Sequence, residues 1–349
     1  MKTRDIALNI NIKLKNHIIT FLKFGIAALI MYYMISTGQL DLHQITQIFH
    51  KKFMILKVVL TLLVIIMLAT TRWYYLLIWQ GIATSFKAVL RINCIGMFFN
   101  SFMPGALGGD LVKAFYIAKD NKDRKIRAVM TILIDRVIGF QAIMIVAFVA
   151  LLFNHKIMSS NPQLQTIASA IAFYILCSFV AAACVFSVRV KHFFILIGVK
   201  KIVYKLPKKE FLIKIYDAFH IYANQKMKLL KAMAITILID MLTIYIVYTI
   251  GREMGETLVS LTSYLTAVPV GLLMLSLPIA PAGVGVGQVA FYNLFLWFGA
   301  QSGSIGATIV TVYQLIIMAV GTCFVFVYLS NRKEVKKAII NAHENPTSD

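Results

Sequence analysis

The residues with chemical potential in this chain are polar groups stranded in apolar sequence. The densest group is the run Asn100-Ser101-Phe102-Met103-Pro104-Gly105-Ala106-Leu107-Gly108-Gly109-Asp110, with Lys113 three residues further on. Its glycines, Gly105, Gly108 and Gly109, permit tight turns and close backbone approach, and they expose peptide N–H groups that can cradle an anion. Asp110 can orient Lys113 or Arg136 beside such a cradle, and it can equally cap the helix after the break, a role worth about 1 kcal/mol. The pair Asp135-Arg136 lies inside an otherwise apolar span. Neighbours on a helix point about 100° apart, so these two cannot satisfy each other and each needs a partner from elsewhere. Charged groups at such depth cost about 2.5 to 3.5 kcal/mol on insertion scales, which makes each a candidate functional group. Arg72-Trp73, at the end of the second span, reads as an ordinary interfacial anchor.

A second break follows late in the chain, Leu277-Pro278-Ile279-Ala280-Pro281-Ala282-Gly283-Val284-Gly285-Val286-Gly287-Gln288. Two prolines, Pro278 and Pro281, and three alternating glycines, Gly283, Gly285 and Gly287, predict an irregular turn that lines a groove, with Gln288 as the hydrogen-bonding group nearest its mouth. Enzyme signatures are absent from the sequence. There is no phosphate-binding GxxxxGK[ST] loop, no HExxH and no Gly-x-Ser-x-Gly elbow, and the late glycines form GxGxG where a dinucleotide site needs GxGxxG after a strand. No catalytic residue, metal ligand or cofactor is therefore expected. The four cysteines, Cys94, Cys177, Cys184 and Cys323, have no CxxC spacing and read as small buried hydrophobes.

The elements that must position these residues follow from composition. Of 349 residues, 60% are apolar and only 14% charged, against about half and a quarter in a soluble domain. The excess has nowhere to go except lipid. Lys and Arg total 35 against 14 Asp and Glu, a net +21, which in a membrane protein marks cytoplasmic loops and anionic headgroups before nucleic acid. Apolar runs at 18–36, 54–72, 128–153, 166–187, 232–250 and 304–330 give six full spans. The stretches 92–117 and 258–298 read as broken, re-entrant hairpins. Both flanks of the first are basic, yet about 26 residues cannot cross twice at 1.5 Å per residue.

The expected fold is thus an all-α polytopic membrane protein, one transmembrane domain over 1–349, with six spans and two hairpins entering from opposite faces as an inverted pseudo-repeat. Its first half covers 1–187 and its second 232–330, and a basic tail fills 331–349. Between the halves, residues 189–231 predict a cytoplasmic amphipathic segment, with Phe211, Ile215, Phe219 and Tyr222 at helical spacing. Both termini are expected in the cytoplasm of a cell-membrane protein, with 37–50 and 154–164 outside.

The pattern around Arg72-Trp73, Phe98-Phe99-Asn100 to Pro104-Gly105, Gly108-Gly109-Asp110 and Asp135-Arg136, followed by Pro278, Pro281-Ala282-Gly283-Val284-Gly285 and Gln288, resembles the lysylphosphatidylglycerol synthase transmembrane-region family, also called the flippase-like domain family. The resemblance covers roughly residues 15 to 330. In the bifunctional synthases of that family the membrane domain is associated with flipping the lipid that a soluble domain aminoacylates, so the resemblance implies a lipid flippase with a polar-headed membrane lipid as substrate. Lys113 stands where the family often has Arg, and Gln288 where it often has Glu. Two other readings stay open: a lipid-linked glycosyl or aminoacyl transferase, and a noncatalytic membrane subunit serving a separate lipid-modifying transferase. Expected partners are the substrate lipid and anionic headgroups, with no nucleic acid and with homo-oligomerisation left open.

Overall fold

The computed structural model describes residues 25–26, 28–102, 108–186, 225–276 and 283–330, with the backbone alone at 102, 122 and 181–186. Among them there is no strand. The helices are α1 (28–36), α2 (Leu42–Phe49), α3 (Lys52–Trp79), α4 (Phe86–Phe102), α5 (Gly108–Asp120), α6 (Lys125–Phe153), α7 (His155–Ser160), α8 (Pro162–Phe186), α9 (Lys226–Glu253), α10 (Leu261–Ser276), α11 (Val286–Trp297) and α12 (Gly303–Cys323). After Phe324 the helical backbone of α12 resumes over 325–330.

Five helices, α3, α6, α8, α9 and α12 with its extension, are long and apolar enough to cross a membrane. They coincide with five of the six runs read from the sequence. The sixth, 18–36, is described only over its second half. Helix α3 shows why lipid is the solvent: Met54, Val58, Leu62 and Ile66 are buried on one face, while Phe53, Leu56, Leu60, Leu63 and Met67 are exposed on the others. A helix apolar all round is stable only when lipid covers the faces that protein does not. The chain is a multi-pass membrane protein.

Side-chain contacts fix the directions of the helices. Lys51, at the start of α3, pairs with Glu253, at the end of α9, at 3.2 Å, and Arg72, late in α3, donates to Thr236, early in α9, at 2.7 Å. The two helices are therefore antiparallel. At the face where α3 ends, the Arg124 guanidinium donates to the Gly81 carbonyl, so the chain leaves α3 and enters α6 at one level. Between these points α4 and α5 form an antiparallel hairpin. Gly96 meets Gly109 and Lys113, and the Asn100 side chain accepts from the Gly109 N–H at 2.7 Å.

The second hairpin starts from the other face. Gly251, near the end of α9, lies against Tyr264 near the start of α10, Tyr264 meets Phe295 near the end of α11 at 5.2 Å between ring centroids, and Ile309 of early α12 joins them. Gly271 packs on Phe291 and Gly287 on Leu275, which makes α10 and α11 antiparallel. With 12 residues, α11 is roughly 18 Å long, and α5 with 13 residues roughly 20 Å; neither spans a hydrocarbon core of about 30 Å. The two hairpins enter from opposite faces, in the inverted arrangement read from the sequence.

Several boundaries differ from that reading. The hairpins begin and end at 86–120 and 261–297, and α9 extends back to Lys226, so residues 226–231 belong to a spanning helix and not to the amphipathic segment. The rest of that segment, 189–224, lies outside the described residues, as do the tail 331–349 and Pro104, Gly105, Pro278 and Pro281. Cys94 is buried, but Cys177 and Cys323 are exposed, because their helix faces look out toward lipid. The topology predicts a labelling pattern in a Cys-free background. Ala83→Cys and Asp123→Cys should react with an impermeant thiol reagent from one face, and Leu258→Cys and Gln301→Cys only from the other. Labelling of positions 83 and 123 from opposite faces would make α4 and α5 one kinked span.

Candidate functional site

The charges stranded in the spans converge. Asp135, on α6, accepts two hydrogen bonds from Arg72 of α3, Nε to Oδ1 at 2.7 Å and Nη2 to Oδ2 at 2.9 Å. The third guanidinium nitrogen, Nη1, donates to Thr236 of α9 at 2.7 Å, and the Thr236 hydroxyl in turn donates to the Ala232 carbonyl at 2.8 Å. One planar fork thus ties three helices, the bidentate geometry that a lysine could not supply. The neighbouring Arg136 points the other way round α6 and donates through Nε to Asp110 Oδ2 at the start of α5. The adjacent pair is resolved as the helix geometry requires, with one partner on α3 and one on the first hairpin.

Lys113 completes the cluster. Its Nζ lies 4.0 Å from Asp110 Oδ1 and 5.5 Å above the Trp73 ring, a cation–π arrangement that strengthens where water is excluded. The lysine stem runs against Gly96, where a Cβ would lie 2.6 Å from Lys113 Cε. The Trp73 indole N–H donates to Thr131 at 3.0 Å, and Asn93 donates to Thr70 at 2.9 Å. These bonds hold the walls still. Arg72, Trp73, Asn93, Asp110, Lys113, Asp135 and Arg136 all line one cavity of about 700 Å³, large enough for a small-molecule group.

The remaining wall is apolar. It is built from Val137, Phe140 and Ile143 of α6, Tyr174 of α8, and Leu272, Leu273 and Ser276 at the inner end of α10. The first hairpin and the inner end of α10 therefore meet around the same space. Val137 and Phe140 remain exposed as well, so the apolar wall carried by α6 is accessible. With three cations against two carboxylates in its lining, the cavity carries one excess positive charge.

Among the sequence candidates, the structure brings together Asp110, Lys113, Asp135 and Arg136. Asn100, Gly108 and Gly109 stand one layer behind: Asn100 closes the hairpin onto the Gly109 N–H, and a Cβ on Gly109 would lie 2.1 Å from the Gly96 carbonyl. Gly283, Gly285, Gly287 and Gln288 do not line the cavity. Gln288 is 1% exposed; its Oε1 accepts from the Gly285 N–H at 2.7 Å, and its Nε2 donates to Thr311 at 3.2 Å and Gln314 at 2.6 Å. Its polar atoms are spent on capping α11 and joining it to α12, so it does not stand at a groove mouth. Gly283 and Gly285 adopt φ of 71° and 86°, the left-handed region the turn needs.

Sequence reasoning passed over Arg72 and Trp73 as interfacial anchors. Arg72 is 9% and Trp73 3% exposed, and the signal that could have found them was the need of Asp135 for a cation. It also passed over Asp240, the one acidic residue within the apolar run 232–250.

A bundle of apolar spans with two antiparallel helical hairpins and a charged cavity defines an all-α polytopic membrane protein. The chain belongs to the lysylphosphatidylglycerol synthase TM region family, whose model matches residues 20–324. No curated protein and no solved structure matched the chain in the corresponding comparisons.

The Arg72–Asp135 pair predicts an asymmetric stability effect. Asp135→Leu leaves a buried guanidinium half-paired and should cost about 3 to 5 kcal/mol, whereas Arg72→Met with Asp135→Leu should recover most of the loss. Thermal unfolding in detergent measures both. A single variant as stable as the parent would show that the pair does not hold the helices together.

Proposed function

We propose that this protein moves a lipid with an anionic, phosphate-containing headgroup between the leaflets of the cytoplasmic membrane. The observation that carries the reading is the charged cavity at membrane depth, with its single excess positive charge and its accessible apolar wall. A phosphodiester carries one negative charge, so the cavity's balance suits it. Lys113 and Arg136 are the groups that would grip the phosphate, since Arg72 is already saturated by Asp135 and Thr236. The side chain of Arg136 is 48% exposed while it pairs with Asp110. The acyl tails stay in lipid beside Val137 and Phe140. Membership in a family named for a lipid synthase's membrane region supports a lipid as the cargo.

Gly108 and Gly109 would act by letting the hairpin close, and the turn of Gly283, Gly285, Gly287 and Gln288 by shaping the tip of the second hairpin, with Asn100 locking the first. Lys87, Arg91, Lys119, Lys122, Arg124, Lys125 and Arg127 all cluster at the ends of α3 to α6, which by the positive-inside rule supports reading that face as cytoplasmic, the side on which we propose both termini lie. A transferase reading gains no support at the cavity, where both carboxylates are committed to ion pairs.

Proteoliposomes holding only this protein and a fluorescent anionic phospholipid test the proposal. Lys113→Ala and Arg136→Ala should each slow transport by about tenfold or more, since charge-assisted hydrogen bonds contribute about 1.5 to 3 kcal/mol. A zwitterionic reporter should be moved poorly by all three proteins. Equal rates for wild type and both variants would remove the cavity from the function.

A further inference from the structure

Asp240 is the one acidic side chain in the middle of α9. It lies 14 residues from Lys226 and 13 from Glu253 in a 28-residue helix, roughly 20 Å from either end at 1.5 Å per residue, the middle of a helix long and apolar enough to cross a membrane. Its Oδ2 is buried without a hydrogen-bond partner. Every other described carboxylate in the spans and the first hairpin's inner end, Asp110 and Asp135, is in an ion pair. An ionised carboxylate with no partner in a low-dielectric interior is costly enough that the group takes a proton instead.

The groups that face Asp240 are few. From α3 the Arg72 guanidinium is the charge that acts on it. From α12 comes the Tyr313 phenol, which is hydrogen-bonded to Thr243 and feels Asp240 in turn. From α6, Asp135 reaches it only through the Arg72 fork, and α10 presents no charged side chain among its described residues, its Tyr264 lying instead beside Gly251. Thr236, which receives the third Arg72 nitrogen, stands four residues before Asp240 and on the same face of α9. The guanidinium is thus already hydrogen-bonded to α9 one helical turn from the unpaired carboxyl, a shift of about 5 Å.

We propose that Asp240 is a proton-binding site that links lipid movement to the proton gradient. It holds a proton while Arg72 is bound by Asp135, and releases it when Arg72 turns from Asp135 to pair with Asp240. The O–H bond of the Asp240 carboxyl is the bond that breaks, the proton passes by way of water to the Asp135 carboxylate that the guanidinium has left, the charge on Asp240 is neutralised by the arriving guanidinium, and Asp135 gives the proton up when Arg72 returns to it. This role rests on the lipid-transport reading for its consequence, but the protonation itself stands apart from it.

Two measurements separate these parts. Dicyclohexylcarbodiimide reacts with protonated carboxyls in apolar surroundings, so the purified wild-type protein at neutral pH should carry the adduct on Asp240 and not on Asp110 or Asp135, with the yield falling as pH rises. Peptide mass spectrometry reads the site. Absence of an Asp240 adduct, or equal modification of the three aspartates, overturns the proposal without reference to transport. In proteoliposomes an imposed pH gradient should change the wild-type rate for the anionic reporter several-fold and leave that of Asp240→Asn unresponsive, while Asp240→Glu restores a response. An Asp240→Asn protein that responds like wild type overturns the coupling. Selective labelling of Asp240 in a wild-type protein that moves no lipid would instead leave the proton site standing and remove the transport reading.

Discussion

Ions carried into hydrocarbon must find partners on other helices, and the adjacency of Asp135 and Arg136 turns that rule into architecture. Because the two side chains leave α6 about 100° apart, they recruit from different directions: Asp135 takes Arg72 from α3, and Arg136 takes Asp110 from α5. Helix α6 is thereby joined to a spanning helix on one side and to the first hairpin on the other. Thr236 extends the first of these links to α9. The cavity exists because these bonds converge without filling the space between the helices that make them.

Where no charge is involved, glycine does the joining. In lipid there is little hydrophobic force between helices, so close packing has to supply the association. Gly96 and Gly109 let α4 and α5 touch backbone to backbone, Gly271 receives the Phe291 ring, and Gly303 and Gly306 seat α12 against Tyr292, Phe291 and Phe295 of α11. The first hairpin uses both devices, glycine contact and ion pairing. The second, with no ion pair among its described residues, adds to glycine contact the Gln288 cluster, the Tyr264–Phe295 ring contact and the Asn154 bonds to Thr262 and Thr266.

What the sequence disclosed and what it withheld divide along the same physical line. Five described spans and both hairpins were legible because apolar length, basic flanks and Pro-Gly breaks are local features. The requirement that Asp135 and Arg136 find separate partners was legible as well, since it follows from helical spacing. The identity of the partner was not, because Arg72 is 63 residues away and sits beside Trp73 at a level where the same pair usually anchors to headgroups. Gln288 misled for a related reason: a lone amide after a Gly-rich break suggests a ligand, whereas its partners, Thr311 and Gln314, come from a helix that sequence spacing cannot place against it. Asp240 carried a signal as plain as that of Asp110, but without a neighbouring break it does not stand out.

The two halves of the cavity wall are consequently unequal in what it costs to move them. Displacing the first hairpin means separating Arg136 from Asp110, which would leave the 10%-exposed Asp110 carboxylate without that partner. Leu272, Leu273 and Ser276 of the second hairpin offer the cavity no ionic contact. Sliding apolar side chains past one another exchanges one set of dispersion contacts for another, each worth about 0.1 to 0.2 kcal/mol. Pro269 within α10 also removes a backbone hydrogen bond from that helix. A change in the shape of the cavity is therefore cheapest on the α10 side, with the first hairpin held as the frame against which it is made.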